Sequence, residues 1–329
     1  PALGIPAGAP LFMKIKLKAS FSGEWQIFYF QKHARESDSV RVTIQGGGWR
    51  EIRIPLQPLP ENARLRIDPP GGVSGVATIA RITFETRVEP KAPQWPAISR
   101  PELDRAQTKI SSGALELTHA RKQLGGWVLK VDGAELAQGH TQPMLGYVSP
   151  EGELRWENIA AKARVDSNAA GESLTVKAAF TDSDGAQWKL QQEFKAGKGG
   201  VIEVKTSVDV SQDRDVLFLP MLMLFPGAGS FGQGKGQGIL SGLEYLENEP
   251  SSSEADIVGP ASKRQVPDNL KVVFPLAAIQ NDGRYVGLIW KKADRYSTVF
   301  DSPDRLFGSK GHVMGVLFPG SNGENRIEG

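Results

Sequence analysis

Apolar and polar residues alternate one by one along much of the chain, which is the pattern of β-strands with one buried face. In MKIKLKAS the apolar positions are Met13, Ile15, Leu17 and Ala19, with lysines between them. ARITFETRV repeats the pattern, and its predicted inward residues are Ala80, Ile82, Phe84 and Val88. We therefore predict a strand in each segment.

The sequence between these two strands predicts three more. SVRVTIQGGGWREIRIPL favours a hairpin that turns at residues 46–48, and ARLRIDPPGG favours a strand that Pro69 and Pro70 end. After a tail at residues 1–10, residues 11–89 are therefore predicted to form a small antiparallel sandwich.

Residues 90–110 have a different character. The stretch EPKAPQWPAISRPELDRAQ contains four prolines and has no apolar periodicity, which indicates a stiff linker. We place the boundary between two domains there, so that the second domain covers residues 111–329.

The second domain has longer alternating runs, separated by turn signals. Three Asp-Gly pairs, at residues 132–133, 184–185 and 282–283, stand between strand-like runs and predict tight hairpin turns. The clearest strand is VIEVKTSVDV, whose predicted inward residues are Ile202, Val204, Val208 and Val210. Since no long window shows a 3.6-residue period, we predict an all-β protein whose second domain consists of two large packed sheets.

Size and charge limit the classes of partner. A chain of 329 residues is longer than most single cores, in agreement with two domains. Its 39 basic and 37 acidic residues are interspersed and give a net charge of +2. Nothing in this distribution favours nucleic acid or an anionic membrane surface, so we expect neither as a partner.

The reactive residue types narrow the chemistry further. The absence of cysteine excludes disulfides, thiolate nucleophiles and cysteine-based zinc sites. The four histidines are far apart and form no zinc-binding motif; they are His33, His119, His140 and His312. We therefore expect no metal and no cofactor.

Targeting signals are not evident. No apolar stretch approaches the roughly 18 residues of a membrane span, and the start PALGIPAGAP lacks the regions of a signal peptide. A cytosolic protein and a mature or excised part of an exported protein both remain open on these grounds.

Two motifs resemble ligand loops but lack essential residues. The glycine-rich run after VLFLPMLMLFP contains Lys235, but Gly236 follows it where a phosphate loop needs Ser or Thr. The sequence DSDG at residues 182–185 resembles the start of a calcium loop but lacks the later acids. We interpret the first as a glycine loop that could cover a groove and the second as a hairpin turn.

The segment SGLEYLENEPSSSEADIVGP, residues 241–260, concentrates candidate site residues. Its acids are Glu244, Glu247, Glu249, Glu254 and Asp256. Glycoside hydrolysis needs two carboxylates on either side of the scissile bond, and Glu244, Glu247, Glu254 and Asp256 are the candidates, although a solvated acidic loop is the favoured interpretation. Tyr245 suggests a sugar contact instead, because carbohydrate sites combine an aromatic face with polar acceptors such as Glu244.

Further candidates are scattered. Trp49 follows three glycines and Trp156 lies between two charged residues, so both are candidate stacking platforms for sugar rings, with core packing as the alternative. Trp188 alternates in phase with Leu190 and is predicted to be core. His140 is a candidate general acid or base, with a structural role as the alternative.

Two parts of the chain resemble known families. Residues 11–89, through GEWQIFYF, SVRVTIQGGGWREIRIPL and LRIDPPGGVSGVATIARI, resemble the jelly-roll β-sandwich modules of bacterial carbohydrate-active proteins. Residues 113–329, through GGWVLKVDG, LAQGHTQPMLGYV, DGAQWKLQQEF and VIEVKTSVDV, resemble the galactose-mutarotase-like β-supersandwich. GLEYLENEPSSSEAD, FPLAAIQNDGRYVGLIW and FDSPDRLFG resemble bacterial proteins of that architecture. The resemblance implies a domain that stands at the N-terminal side of many glycoside hydrolases and polysaccharide lyases, commonly before a helical (α/α) toroid.

The resemblance also implies a function. Mutarotases surround the sugar with a histidine pair and a glutamate, but that set does not map onto His119, His140 or His312. We therefore expect a non-catalytic region of a secreted or periplasmic polysaccharide-degrading enzyme, which binds polysaccharide or oligosaccharide or supports a substrate groove beside a C-terminal toroid. The alternatives are a hydrolase, lyase or mutarotase that uses the acids of residues 244–256, and a structural spacer or docking unit.

Overall fold

The computed structural model describes residues 4–72, 74–87, 93–103, 106–251, 272–293, 295–320 and 325–329. Helix in this part of the chain is confined to one turn of α-helix, α1 (Ile159–Lys162), and a 3-10 turn at Glu36–Asp38. The all-β prediction is confirmed. The chain separates into two compact units, one holding the described residues up to 87 and the other those from 93 onward.

The first unit is a sandwich of two antiparallel three-stranded sheets. One sheet has the order β4-β1-β6 and the other β3-β2-β5. The strands are β1 (Leu11–Ala19), β2 (Gly23–Phe30), β3 (Ser39–Ile44), β4 (Gly47–Leu56), β5 (Arg64–Asp68) and β6 (Ala77–Thr86). The predicted inward residues of β1 are all buried, and they pack with Trp25, Ile27 and Ile54 into one core.

Two details of this unit were predicted wrongly. Strands β3 and β4 do not form a hairpin, because β3 pairs with β2 while β4 pairs with β1, so residues 45–46 connect the two sheets. A Cβ on Gly46 would lie 2.8 Å from the backbone of Phe21, which explains why glycine stands at this crossing. Ala80 is exposed because a register shift against β1 skips it, and Val88 lies outside the described residues.

In its described residues the second unit contains one ten-stranded sheet and two four-stranded sheets, rather than the two large sheets predicted. The ten-stranded sheet is formed by β7 (Thr108–Ser112), β8 (Leu115–His119), β9 (Trp127–Val131), β10 (Ala134–Gly139), β11 (Met144–Val148), β12 (Leu154–Asn158), β17 (Arg214–Pro226), β22 (Ser297–Asp301), β23 (Val313–Phe318) and β24 (Arg326–Ile327). The first four-stranded sheet comprises β13 (Arg164–Ala170), β14 (Ser173–Thr181), β15 (Gln187–Ala196) and β16 (Ile202–Val210). The second comprises β18 (Gln237–Leu240), β19 (Glu244–Glu247), β20 (Leu276–Asn281) and β21 (Arg284–Ile289).

The ten-stranded sheet is covered on both faces. One face packs against the inner faces of both four-stranded sheets in a large apolar core that includes Trp188, Phe194 and Ile279. On the other face, Phe218, Phe225 and Phe307 form a separate aromatic cluster. The described part of the proline-rich segment packs onto this cluster through Trp95 and Ile98.

The Asp-Gly pairs form the predicted hairpin turns. In the β9–β10 and β20–β21 hairpins, Asp132 and Asp282 both have φ of 49° and the glycines that follow also have positive φ. Such values suit a primed turn, which matches the twist of the two strands. The β14–β15 turn is longer and spans Asp182 to Ala186.

Strand β17 carries a proline in its buried interior without breaking the sheet. Pro220 pairs with Leu317 and Leu222 with Val316, so Met221 is an extra residue that forms a β-bulge. The Met221 carbonyl is thereby released from the ladder and accepts hydrogen bonds from Thr206 Oγ1 at 2.7 Å and Gln192 Nε2 at 3.1 Å. Both donors belong to the facing sheet, so a backbone acceptor between two layers remains satisfied.

Candidate functional site

The candidate site lies on the outer face of the second four-stranded sheet, whose strand order is β19-β18-β20-β21. Its inner face is apolar and buried through Leu240, Leu246, Ile279 and Val286. On the outer face one row of cross-strand neighbours runs over all four strands and consists of Glu247, Gln237, Gln280 and Tyr285. The next row begins with Tyr245 on β19 and continues with Ile239 and Ala278.

These two rows form a groove with an aromatic residue near each side. Tyr245 is 67% exposed and Tyr285 is 61% exposed. The groove has a volume of about 630 Å³, within the usual range of ligand sites, and Gln237, Glu247, Glu249 and Gln280 also line it. It combines exposed aromatic faces with amide and carboxylate groups.

Local hydrogen bonds hold the side chains of the groove. The Gly242 N–H donates to Tyr245 Oη at 3.0 Å, so this phenol is fixed at its polar end. Tyr285 Oη donates to Gln237 Oε1 at 3.4 Å. The Glu249 carboxylate accepts from the Glu247 N–H at 2.7 Å, which leaves the Glu247 carboxylate as the more available of these two acids.

The acids named from the sequence do not all meet in this groove. Glu244 is only 4% exposed, because it alternates with Tyr245 and its side chain lies on the inner face of β19. Glu247 lies on the outer face with Tyr245. Glu254 and Asp256 lie outside the described residues. A pair made from Glu244 and Glu247 would therefore be divided by the sheet, which does not favour the hydrolytic arrangement.

The two candidate tryptophans have different surroundings. Trp49, in the first unit, is 48% exposed, and the Lys18 ammonium lies over its ring at 5.1 Å from the centroid. Trp156, in the second unit, is half-buried and packs edge-on against Trp95 with 5.4 Å between ring centroids. Trp49 therefore offers a ring to solvent, whereas Trp156 belongs mainly to the aromatic cluster.

His140 is buried, with edge-on contacts to Phe225 and Phe307. Its Nδ1 accepts a hydrogen bond of 3.3 Å from the Gln142 N–H. It lines a small cavity of about 30 Å³ beside Gln192 and Thr206, which has room for a water molecule.

A buried ionic network that the sequence did not reveal surrounds the DSDG turn. Arg214 Nε donates to Asp182 Oδ2 at 2.8 Å, and Trp188 Nε1 donates to the same oxygen at 2.9 Å. Burial alone would raise the pKa of Asp182, but the hydrogen bonds from Arg214 and Trp188 outweigh it and hold this pKa below its ordinary value. Burial, reinforced by a hydrogen bond to Asp184, raises the pKa of Tyr147. These groups satisfy one another, which indicates a structural role.

A second buried pair has the residue types of a nucleophile and its base. Ser302 Oγ lies 2.8 Å from His312 Nδ1, and both side chains are wholly buried. Burial lowers the pKa of His312 to about 4. Since no surface of either side chain reaches solvent, a substrate cannot approach the pair in this conformation, and we assign it to the core.

Sequence reasoning found Tyr245 and Glu247 but missed Gln237, Gln280 and Tyr285. The run RYVGLI does indicate that Tyr285 is exposed, because Tyr285 alternates with the buried Val286 and Leu288 and therefore lies on the solvent-exposed face of the strand. Which outward residues become neighbours depends on the pairing of β18 with β20, and these strands are far apart in the sequence.

Other site types find little support in the described residues. No three His, Asp or Glu side chains there are arranged to hold a metal ion. No helix in the same ranges has the length and apolar character needed to cross a membrane. Comparison with known proteins gave no matching family model and no matching curated protein.

Proposed function

We propose that this chain is a non-catalytic, carbohydrate-binding region of a polysaccharide-degrading protein, and that the groove on β18–β21 holds the sugar. The observation that carries the proposal is the pairing of two exposed, hydrogen-bonded tyrosines with amide and carboxylate groups on one sheet face. Aromatic faces stack on the C–H side of pyranose rings, and planar polar groups bind the hydroxyls at their edges. The layered all-β architecture agrees with the resemblance to supersandwich domains.

Binding of polysaccharide by the whole chain tests the proposal. A glycan array would identify a ligand, and titration calorimetry would compare the wild type with Tyr245→Ala and Ile289→Ala. We expect Tyr245→Ala to weaken binding about tenfold, which corresponds to about 1.4 kcal/mol. Ile289 is an exposed apolar residue of the same sheet that does not line the groove, so its variant should bind normally.

Two results would reject the proposal: no binding to any glycan, or equal weakening by both substitutions. Thermal unfolding of each variant controls for damage to the fold. Both sites are exposed, so neither substitution should change stability by more than about 0.5 kcal/mol.

A protein-docking role is the second candidate, because Ile289 at the end of β21 and Val273 and Phe274, just before β20 begins, are exposed. Adjacent exposed apolar side chains often mark a contact with another domain. If this role is the correct one, Phe274→Ser with Ile289→Ser should weaken association with the rest of the parent protein and leave glycan binding unchanged.

A further inference from the structure

We propose that the groove binds an extended glycan chain without anionic groups, laid across the four strands, and that Glu247 rejects glycans bearing carboxylate or sulfate. This inference rests on the proposed function and adds the class of ligand, its direction and a specificity-determining residue.

The direction follows from where the two aromatic residues lie. Tyr245 is on β19 and Tyr285 is on β21, the two outer strands of the sheet. Three interstrand steps separate these strands, or roughly 14 Å at the usual strand spacing. The Tyr285 side chain reaches over β20 to Gln237 on β18, so the rings are closer together than the strands, but Tyr245 also lies one row further along the sheet, about 7 Å away in the strand direction. The two rings therefore stand at separate positions of the groove. A ligand that uses both must be an oligosaccharide or polymer that crosses β18 and β20.

The residues between the tyrosines suit a ligand rich in hydroxyl groups. Gln237 and Gln280 are paired neighbours on β18 and β20, and both line the groove. An amide both donates and accepts hydrogen bonds, so each glutamine can bind a hydroxyl in either sense. Tyr285 already holds the Gln237 oxygen, which directs the Gln237 amide NH₂ toward other partners.

The charged side chains that line the groove, among the described residues, are all acidic. Among the described residues that line it, Glu247 and Glu249 are charged and none is lysine or arginine. The nearby Lys235 is buried, and its ammonium donates to the Glu249 backbone carbonyl. Among the described residues that line the groove, a uronate or sulfated sugar would therefore meet two carboxylates and neither lysine nor arginine.

Glu247 is the residue expected to enforce this selectivity. Its carboxylate stands in the row with Gln237 and Gln280, whereas the Glu249 carboxylate is engaged by a backbone N–H. Replacing Glu247 by glutamine keeps an oxygen acceptor for hydroxyls and removes the negative charge.

The test compares matched oligosaccharides on the whole chain by titration calorimetry at low ionic strength. The probes are neutral gluco-, manno-, xylo- and galacto-oligosaccharides from one to six units, and oligouronates of the same lengths. The variants are Glu247→Gln and, as a control with the same change of net charge, Glu203→Gln on the exposed face of β16.

We expect neutral oligomers to bind with an affinity that rises with length, and oligouronates to bind at least about tenfold more weakly. Glu247→Gln should reduce the ratio between the affinities for neutral oligomers and for oligouronates by at least about threefold. Added salt should reduce this ratio as well. Glu203→Gln should leave the ratio unchanged.

Three results would overturn the inference: oligouronates that bind as well as neutral oligomers, monosaccharides that bind as well as hexasaccharides, or equal effects of the two glutamate variants. If binding depends on Tyr245 but favours acidic glycans, this inference fails while the proposed function stands. If no glycan binds, both fail.

Discussion

Tyr285 and Gln237 are joined across an intervening strand, with 3.4 Å between the phenol oxygen of Tyr285 and the amide oxygen of Gln237. Tyr285 is on β21 and Gln237 is on β18, so the hydrogen bond passes over β20. The contact restrains an exposed ring that would otherwise sample several rotamers. Restraint of this kind lowers the entropy lost on binding.

The first prediction separates the ring of Tyr285 from its hydroxyl. Tyr285→Ala removes the stacking surface and should weaken glycan binding about tenfold. Tyr285→Phe keeps the ring but frees it from Gln237, so the loss should be only about twofold to threefold, in line with one weak hydrogen bond. Titration calorimetry with the same oligosaccharide decides the matter, and equal losses in the two variants would mean that the ring does not stack.

The second prediction concerns the buried ion pair between Asp182 and Arg214. Asp182→Asn removes the carboxylate that is hydrogen-bonded to the buried Arg214 guanidinium and should lower the free energy of unfolding by about 3–5 kcal/mol. The exposed pair of Asp213 with Arg326 provides the control, since solvent screens this pair and Asp213→Asn should lower the free energy of unfolding much less than Asp182→Asn does. Urea titration measures both, and similar small losses would show that Arg214 finds other partners.

The third prediction is a loss of stability in mild acid, caused by buried histidines. Burial lowers the pKa of His119 and of His312 to about 4 in the folded state, against an ordinary value of 6.5. Between these values the unfolded chain binds more protons, so the free energy of unfolding should fall as the pH drops from 6.5 toward 4. Each histidine contributes at most about 3 kcal/mol to this loss.

His119→Phe tests this origin. Neither nitrogen of His119 makes a hydrogen bond of good geometry in the described chain, and the backbone of Ala120 raises the pKa by less than burial lowers it. A phenylalanine therefore removes the titration at little cost, and the acid limb of the stability curve should become shallower. The control is His33→Phe, which replaces a histidine that is exposed in the folded chain. An unaltered slope in His119→Phe would exclude His119 as a cause.

The fourth prediction addresses the bulge in β17. Thr206→Val keeps the shape of the side chain but removes the stronger of the two donors to the Met221 carbonyl, and should cost about 1–2 kcal/mol. Ser207→Ala changes the neighbouring residue on the exposed face and should stay within about 0.5 kcal/mol. Chemical denaturation of both variants provides the comparison, and equal stabilities would show that Gln192 alone satisfies this carbonyl.

The parts of the fold that depend on local sequence could be predicted. Strict alternation identified β1 and β16, and Asp-Gly pairs located three hairpin turns, because both signals are read within a few residues. Pairing between distant strands could not be read in this way. The segment between β3 and β4 looks like a hairpin turn, yet each strand has a different partner, chosen by packing between sheets.

The site was predictable to a similar degree. Tyr245 could be predicted as a site residue because acids surround it in the sequence, but alternation along β19 places the side chain of Glu244 in the core. Its partners in the groove, Gln280 and Tyr285, come from a hairpin that lies well beyond residue 251. Thr206 interrupts an otherwise apolar face of β16. Its polar side chain is explained only by the structure, in which it donates a hydrogen bond to the Met221 carbonyl.

The bulge residue Met221 also changes which face of the sheet the side chains of each part of β17 occupy. Leu219 and Leu224 are separated by an odd number of positions, yet both face the larger core, because the phase of the strand reverses at Met221. Deleting residue 221 would rotate the following segment of β17 by half a turn. Leu224 would then face the aromatic cluster and Phe225 the larger core, so each side chain would pack in the core that fits the other. One unpaired residue thus allows both halves of a single strand to fit the larger core on one face of the sheet and the aromatic cluster on the other.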